Sequence, residues 1–457
     1  MRIRKGAGKM KKAVILTVVL ILVGLAACTP APVKEAVPPE EKVAPPKKEA
    51  VVMASGKTLQ SDKARLTSPQ VDKSGQVSIV AGNSAFAFDL YQELKAEGGN
   101  LFYSPYSITA ALVMAYAGAR GQTGREMADT LHLDLPQDQL HPAFNWLDQE
   151  LARRGEGAEG KDDQGFRLNV VNAIWGQKDF EFMVDFLDTL AENYGAGLRI
   201  LDFIKESEKS RITINDWVSD QTEERIKDLI PQGAINVDTR LVLTNAIYFN
   251  AAWEYEFRET QTADRIFHLL DGGTVTVPLM LRRASFGYAA GDNYQAVELP
   301  YDGRELSMVI LLPAEGHFGE FEDGLDFQQV EGIINELTRT DVNLRMPKFE
   351  FDSSFRLAKA LSALGMRDAF LLGSADFSGM TGNRDLFIGE VIHKAFVSVD
   401  EEGTEAAAAT AVIMPTSAPP QEEEFITVIV DRPFIFLIRD IETGAILFLG
   451  RVVNPSE

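Results

Sequence analysis

Cysteine is almost missing from this chain: Cys28 is the single one in 457 residues. No intramolecular disulfide can form, so stability has to come from the core. Histidine is scarce too. His132, His141, His268, His317 and His393 are the five, and none stands at the spacing of a metal-ligand set. A G-x-S-x-G nucleophile elbow is lacking. Gly118, Gly121 and Gly124 make a G-x-x-G-x-x-G run, but it follows a helical pattern and not a strand, which removes the setting of a phosphate cradle. Positive charge is in deficit, with 45 Lys and Arg against 67 Asp and Glu and a net charge of −22. That excludes nucleic acid as a partner and a purely electrostatic hold on an anionic membrane. No enzyme site, metal or cofactor is expected.

What is present begins with an export signal. Met1 to Lys12 holds six basic residues and no acid, and Ala13 to Ala27 is an apolar run. Such a run is too short to span a bilayer comfortably and fits a secretory signal peptide over residues 1–27. It ends in Leu25-Ala26-Ala27-Cys28, which resembles the cleavage box of bacterial lipoproteins. The resemblance implies that Cys28 is lipidated and anchors the protein outside the cytoplasm, at an outer membrane or cell surface. A stray cysteine behind an ordinary signal peptide is the plainer alternative. Residues 28–76 form the expected tether, with six prolines between Pro30 and Pro46, a composition that stays extended.

Residues 77–457 contain no second linker and no repeat, and are expected to form one domain. Helical spacing runs through Asn83–Lys95, Ser107–Ala119, Thr123–Leu131, Pro142–Ala152, Phe180–Tyr194, Ile212–Thr222 and Ser354–Leu364. Strand patterns occupy Phe166–Trp175, Arg240–Phe249, Gln295–Leu299, Ser307–Leu312, Val342–Phe351, Leu386–Asp400, Phe434–Arg439 and Ile446–Val452. Helices come early and most strands late, an α+β arrangement.

One stretch is unlike an ordinary surface loop. Glu401 to Pro420 reads E-E-G-T-E-A-A-A-A-T-A-V-I-M-P-T-S-A-P-P and carries few turn residues before Pro415. Thr404, Ala406, Ala408, Thr410, Val412 and Met414 would share one strand face, and the side chains are small enough for a strand that slips between neighbours. An alanine-rich linker or short helix is the bland alternative.

At this stretch the chain resembles a known family. Glu401 to Thr410 is similar to the hinge of an inhibitory serpin. Asp431-Arg432-Pro433-Phe434-Ile435-Phe436-Leu437-Ile438 resembles the family's C-terminal pattern. Asn100–Ile108, Leu243–Trp253 and Val391–Thr404 match its second helix, its central strand and the strand that feeds the loop. The resemblance implies a serpin fold of three β-sheets and eight or nine helices, with an exposed reactive-centre loop at about 401–424. It implies an irreversible inhibitor: a protease cleaves the loop, is held as an acyl-enzyme, and is carried off as the loop enters the main sheet. Glu401, Gly403, Thr404, Ala406, Ala408 and Thr410 match the hinge. Ser104, Ser107, Asn245 and His393 match the polar shutter beneath the sheet, and Trp253 the breach at its top. The bond to be cut lies at Thr416–Ser417 or Ser417–Ala418. No Lys or Arg lies between Gly403 and Asp431, so elastase- or subtilisin-like enzymes are expected as targets and trypsin-like ones are not. The implied partner is a target protease bound covalently to a monomer. Inhibition of papain-like cysteine proteases, or a non-inhibitory binding role, are the alternatives within the fold.

Overall fold

The computed structural model describes residues 50–51, 56–155, 167–222, 224–404 and 425–457. Ten α-helices and two large sheets lie among them, an α+β fold. No helix among the described residues is long and apolar enough to cross a membrane.

Helix α1 (Lys73–Leu94) begins where Asp72 accepts a hydrogen bond from the Gly75 amide at 2.7 Å, a side-chain cap on an otherwise unpaired helix donor. Helix α2 (Pro105–Tyr116) starts the same way on Ser104, with Pro105 in its first turn. Nearly every residue of α2 is buried, as expected for a helix that is apolar all round. Leu112, Val113 and Ile108 have no exposure at all, and each such side chain contributes about 1.5–3 kcal/mol of transfer free energy.

The main sheet has seven strands. Four matter here: β1 (Arg167–Gln177), β2 (Leu241–Ala252), β3 (Ile388–Val399) and the two-residue β4 (Gly403–Thr404). Across the sheet the order is Phe349–Arg356, β3, β4, β2, β1, Leu198–Leu201 and Thr58–Leu59. Strand alternation divides its two faces. Val171, Ala173, Trp175, Val242, Ala246 and Ile392 pack beneath the helix Phe203–Gln221, against Ile214 and Val218. Ile174, Leu243, Ile247, Val391 and Ala395 point the other way, into the larger core with α2.

The second sheet has nine strands. Its size comes from one 17-residue strand, Thr274–Ala290. That strand pairs with Ala263–His268 over Thr274 to Leu279, with Thr338–Pro347 over Leu279 to Tyr288, and with Tyr294–Pro300 over Gly287 to Ala290. Two of the three sheets implied by the resemblance are therefore continuous through a shared strand. A small separate ladder joins Ala50–Val51 to Phe182–Met183.

Three expectations need correction. The boundary placed between residues 76 and 77 falls inside α1. Residues before it already belong to the fold: Thr58–Leu59 closes the main sheet, and Arg65 bonds Asn145 and Asp148. The helix expected over Ser354–Leu364 begins only at Ala358, because Ser354 to Arg356 pair with Lys394 to Ile392 of β3. The single strand expected over Val342–Phe351 is two, Thr338–Pro347 in one sheet and Phe349–Arg356 in the other, with the chain crossing between sheets at Lys348.

Candidate functional site: the loop foot and the seam beneath it

Between β3 and β4 the chain reverses in a tight turn. The Asp400 amide donates to the Gly403 carbonyl at 3.0 Å. The Asp400 carboxylate accepts from the amides of Glu402 at 2.9 Å and Gly403 at 3.2 Å. Gly403 and Thr404 then enter the sheet. Thr404 pairs with Val399 of β3 on one side and Ala251 of β2 on the other, and Gly403 pairs with Ala252. A Cβ on Gly403 would lie 2.1 Å from the Ala251 carbonyl oxygen, so only glycine fits. The first two strand residues of the expected loop are thus already wedged between β3 and β2. Farther down, β3 and β2 pair directly with each other, in parallel, from Ile388–Leu241 to Ala395–Ile247.

The wedge is held from beneath. Thr404 is buried, and its hydroxyl shares a 2.8 Å hydrogen bond with Tyr301 Oη. Burial pushes the Tyr301 phenol far above its ordinary range, so it stays a neutral donor. Tyr301 stacks on Trp253 with ring centroids 4.6 Å apart and 9° between planes. Trp253 Nε1 donates to the Asp400 carbonyl at 3.0 Å, and its amide to the Glu402 carbonyl at 2.8 Å. The Phe257 amide donates to the Glu401 carbonyl, also at 2.8 Å. Glu401 is itself buried and accepts from Lys348 Nζ and Thr262 Oγ1, each at 2.6 Å. Burial alone would raise its pKa, but these two donors outweigh burial and hold the carboxyl below its ordinary value.

Lower on the same seam lies a buried polar cluster. Asn172 of β1, Asn245 of β2 and His393 of β3 stand side by side, since Asn245 is the register partner of both others. The Ser104 amide donates to His393 Nε2 at 3.1 Å, which places the ring proton on Nδ1. That Nδ1–H donates to Asn245 Oδ1. The Asn245 amide nitrogen donates to Ser107 Oγ and Asn172 Oδ1. Ser107 in turn donates to Asn172 Oδ1 at 3.2 Å, while the Ser107 amide is capped by Ser104 Oγ at 3.1 Å. Burial pushes the His393 pKa down to about 3, so the ring is neutral. The four expected shutter residues are brought together, with Trp253 and Tyr301 above them. Asn172 completes the network and escaped the sequence reading. A lone Asn on the inward-facing set of an apolar strand was the available signal.

Ala406, Ala408, Thr410, the bond candidates Thr416, Ser417 and Ala418, and Cys28 lie outside the described residues. Gly118 and Gly121 have structural roles. Gly118 lies against Met380, and Gly121 opens a helix at a φ of 57°. No group of His, Cys, Asp or Glu among the described residues could hold a metal ion.

Residues 81–455 match the family model for serpins, serine protease inhibitors. An uncharacterised serpin-like protein of Thermococcus kodakarensis is 42% identical over 392 residues, 86% of this chain and 89% of that protein. Leukocyte elastase inhibitor A of Mus musculus is 39% identical across 82% of this chain and 99% of its own length. Among solved structures, a thermophilic serpin in the native state, tengpin, superposes with a TM-score of 0.75 at 29% identity, covering 86% of this chain and 97% of that one. With the family model matched over most of its length and relatives about 40% identical across more than four-fifths of it, the chain belongs to the serpin family of serine protease inhibitors.

Proposed function

We propose that this serpin inhibits elastase- or subtilisin-like serine proteases irreversibly, from a membrane surface to which the lipid on Cys28 holds it. The protease serine attacks the carbonyl at Thr416–Ser417 or Ser417–Ala418. The peptide bond breaks, the amine side leaves, and the carbonyl side stays on the serine as an ester. Insertion of the freed segment into the seam then removes the protease from the position in which water would complete hydrolysis.

The observation that carries this reading is β4, the hinge already paired with both strands of the seam. Continued in the same register, Ala406 would lie between Phe249 and Val397, and Ala408 between Ile247 and Ala395. Thr410 would lie between Asn245 and His393. Insertion must break the His393–Asn245 bond, and the Thr410 hydroxyl, able to donate and accept, arrives in its place. Small side chains at 406 and 408 meet apolar neighbours, which supports insertion over a fixed external loop.

The target class rests on the small residues at 416–418 and on the likeness to leukocyte elastase inhibitors. The export and anchor rest on the signal-like N-terminus. The test is incubation with subtilisin and with an elastase, followed by denaturing electrophoresis. A covalent complex at the summed mass is expected. Complete cleavage of the loop by both enzymes, with neither retained, would remove the inhibitor reading.

A further inference from the structure

Apart from the seam, a cavity of about 310 Å³ opens between the C-terminal end of α2 and the first turns of the helices Gln137–Ala152 and Val184–Tyr194. At roughly 30 Å³ per molecule it has room for far more than a single water, and it reaches the lower end of the range of small-ligand sites. His141 lines it and is 4% exposed. Its Nδ1 lies 2.7 Å from Tyr194 Oη. Burial pushes the Tyr194 phenol well above its ordinary pKa, so the hydroxyl keeps its proton. Neither atom has another partner, and only donation from the hydroxyl to Nδ1 satisfies that proton. The ring hydrogen is then on Nε2, which is buried without a hydrogen-bond partner among the described residues. Burial first and Arg120 second hold the His141 pKa down to about 4, so the ring is neutral and the Arg120 charge is near it.

Arg120 brings a second unspent donor edge to the cavity. Its Nη1 donates to the carbonyls of Ala117 and Ala119 at 2.9 and 2.7 Å and to Gln137 Oε1 at 3.4 Å. Its Nε and Nη2 have no acceptor, and the guanidinium forms no ion pair, among the described residues. A Cβ on Gly379, in the cavity wall, would lie 2.6 Å from Nη2, so a side chain there would close this edge off. Such an edge takes a carboxylate on two parallel hydrogen bonds. Asp138 supplies the opposite charge. It stands one turn before His141 on the same helix face. It is exposed, and its carboxylate has no partner among the described residues. The other carboxylate at the cavity, Asp185, already has one. Met183 and Phe186 add an apolar wall. A simple anion would leave Asp138 unanswered, and a simple cation would leave the two donors so. A small zwitterion with an apolar part answers all of them.

We propose that this cavity binds a free α-amino acid with an apolar side chain: its carboxylate on the Nε–Nη2 edge of Arg120 and the Nε2–H of His141, its ammonium on Asp138, and its side chain against Met183 and Phe186. The site is apart from the seam and does not depend on the inhibitor reading. The test is binding to the full-length protein, followed by calorimetry and by the magnetic resonance of the histidine ring protons, with His141→Gln identifying the His141 signal. The probes are L-phenylalanine and L-leucine, compared with glycine, N-acetylphenylalanine and phenylalanine methyl ester. Phenylalanine and leucine should each bind at one site with a millimolar or tighter Kd, shift the His141 signal, and raise the melting temperature at saturation. The ester and the N-acetyl derivative should each bind at least about tenfold more weakly, because a charged group is left unmatched. Glycine should be weaker too, since it buries no side chain. Asp138→Asn changes an exposed, unpaired position, so the variant should fold like the parent. It should lose the preference for phenylalanine over its N-acetyl derivative. Failure of both phenylalanine and leucine to bind would overturn the proposal. So would equal binding of phenylalanine, its ester and its N-acetyl derivative, which would mean that the apolar wall alone is recognised. Binding that leaves the His141 signal unmoved, or that keeps its full preference in Asp138→Asn, would place the ligand elsewhere and also overturn it.

Discussion

His393 and Asn245 face each other across the seam between β3 and β2, and the ring Nδ1–H donates directly to the amide oxygen. This bond latches the seam below the wedged hinge, with the other ring nitrogen accepting from the Ser104 amide. Burial holds the His393 pKa down to about 3 and that of His141 to about 4. In the unfolded chain both titrate near about 6.5. As pH falls below that value the unfolded state takes up protons first, so stability present above pH ~6.5 is lost progressively down to the folded pKa values. For His393 the whole window amounts to roughly 5 kcal/mol, with roughly 2 kcal/mol of it lost between pH ~6.5 and ~5. Carboxylates held low, such as Glu401 and Asp376, lose their contribution only at lower pH. The melting temperature should therefore drop by several degrees between pH 7 and 5, and the drop should be about half as large in His393→Gln, where His141 still titrates. An identical pH slope in that variant would take the latch out of the account.

The helix start at Ser104 and the small-residue stretch from Thr404 were legible in the sequence because each is a local pattern, whereas Asn245, His393 and Trp253 were named only through the family resemblance. Ser104 stands one residue before Pro105 at the start of an apolar helix, and the alternation of small residues from Thr404 is visible in one dimension. What escaped notice depends on pairing across the chain. Asn172 matters only because β1 and β2 place it opposite Asn245. Lys348 is an ordinary lysine until the crossing between sheets brings it to Glu401. The 17-residue strand Thr274–Ala290 alternates poorly because its two ends belong to different surroundings, with Val277 and Leu279 buried early and Phe286 and Ala289 late. Residues 58–72 follow the proline-rich stretch without a change in pattern that sets them apart from a tether. They are held instead by short ladders and by contacts such as Arg65 with Asp148.

Cleavage of the loop without trapping should stabilise the protein. A strand of about ten residues entering between β3 and β2 adds on the order of ten backbone hydrogen bonds, each worth about 1 kcal/mol net. At about 2–4 °C per kcal/mol for a domain of this size, the melting temperature should rise by roughly 20 °C or more. Limited proteolysis at residues 416–418 followed by calorimetry measures this. An unchanged melting curve would mean that the cut segment stays outside the sheet.

Replacing Cys28 tests the anchor apart from the inhibitory machinery. Cys28→Ala removes the chain's only thiol. Labelled fatty acid should enter the wild-type protein in bacterial cells and not the variant, while the rate of protease trapping by purified protein is unaltered. Incorporation of label into Cys28→Ala would show the acyl site to be elsewhere.

The sharpest test lies at the wedge. Thr404 occupies a buried site against Tyr301, with Val399 and Ala251 on its flanks. Thr404→Arg would bring a charge there at a cost of several kcal/mol unless it found a partner. Ala408→Pro would remove a ladder donor from what becomes a central strand. Gly403→Val would drive side-chain atoms into the Ala251 carbonyl. None of these changes touches residues 416–418, so recognition and the first cleavage should proceed at the wild-type rate. After that cleavage insertion competes with hydrolysis of the acyl-enzyme, and each 1.36 kcal/mol added to the insertion barrier slows it about tenfold. All three variants should therefore turn from inhibitor to substrate: the loop is cut at the normal bond and active protease is released, with the stoichiometry of inhibition rising at least about tenfold. Glu405→Arg is the control. In the register of β4 its side chain would point to the opposite face of the sheet, between Asn250 and Ser398, and it should trap protease nearly as well as the parent. Efficient trapping by Thr404→Arg would mean either that residue 404 leaves its buried site before insertion or that the loop works from outside the sheet.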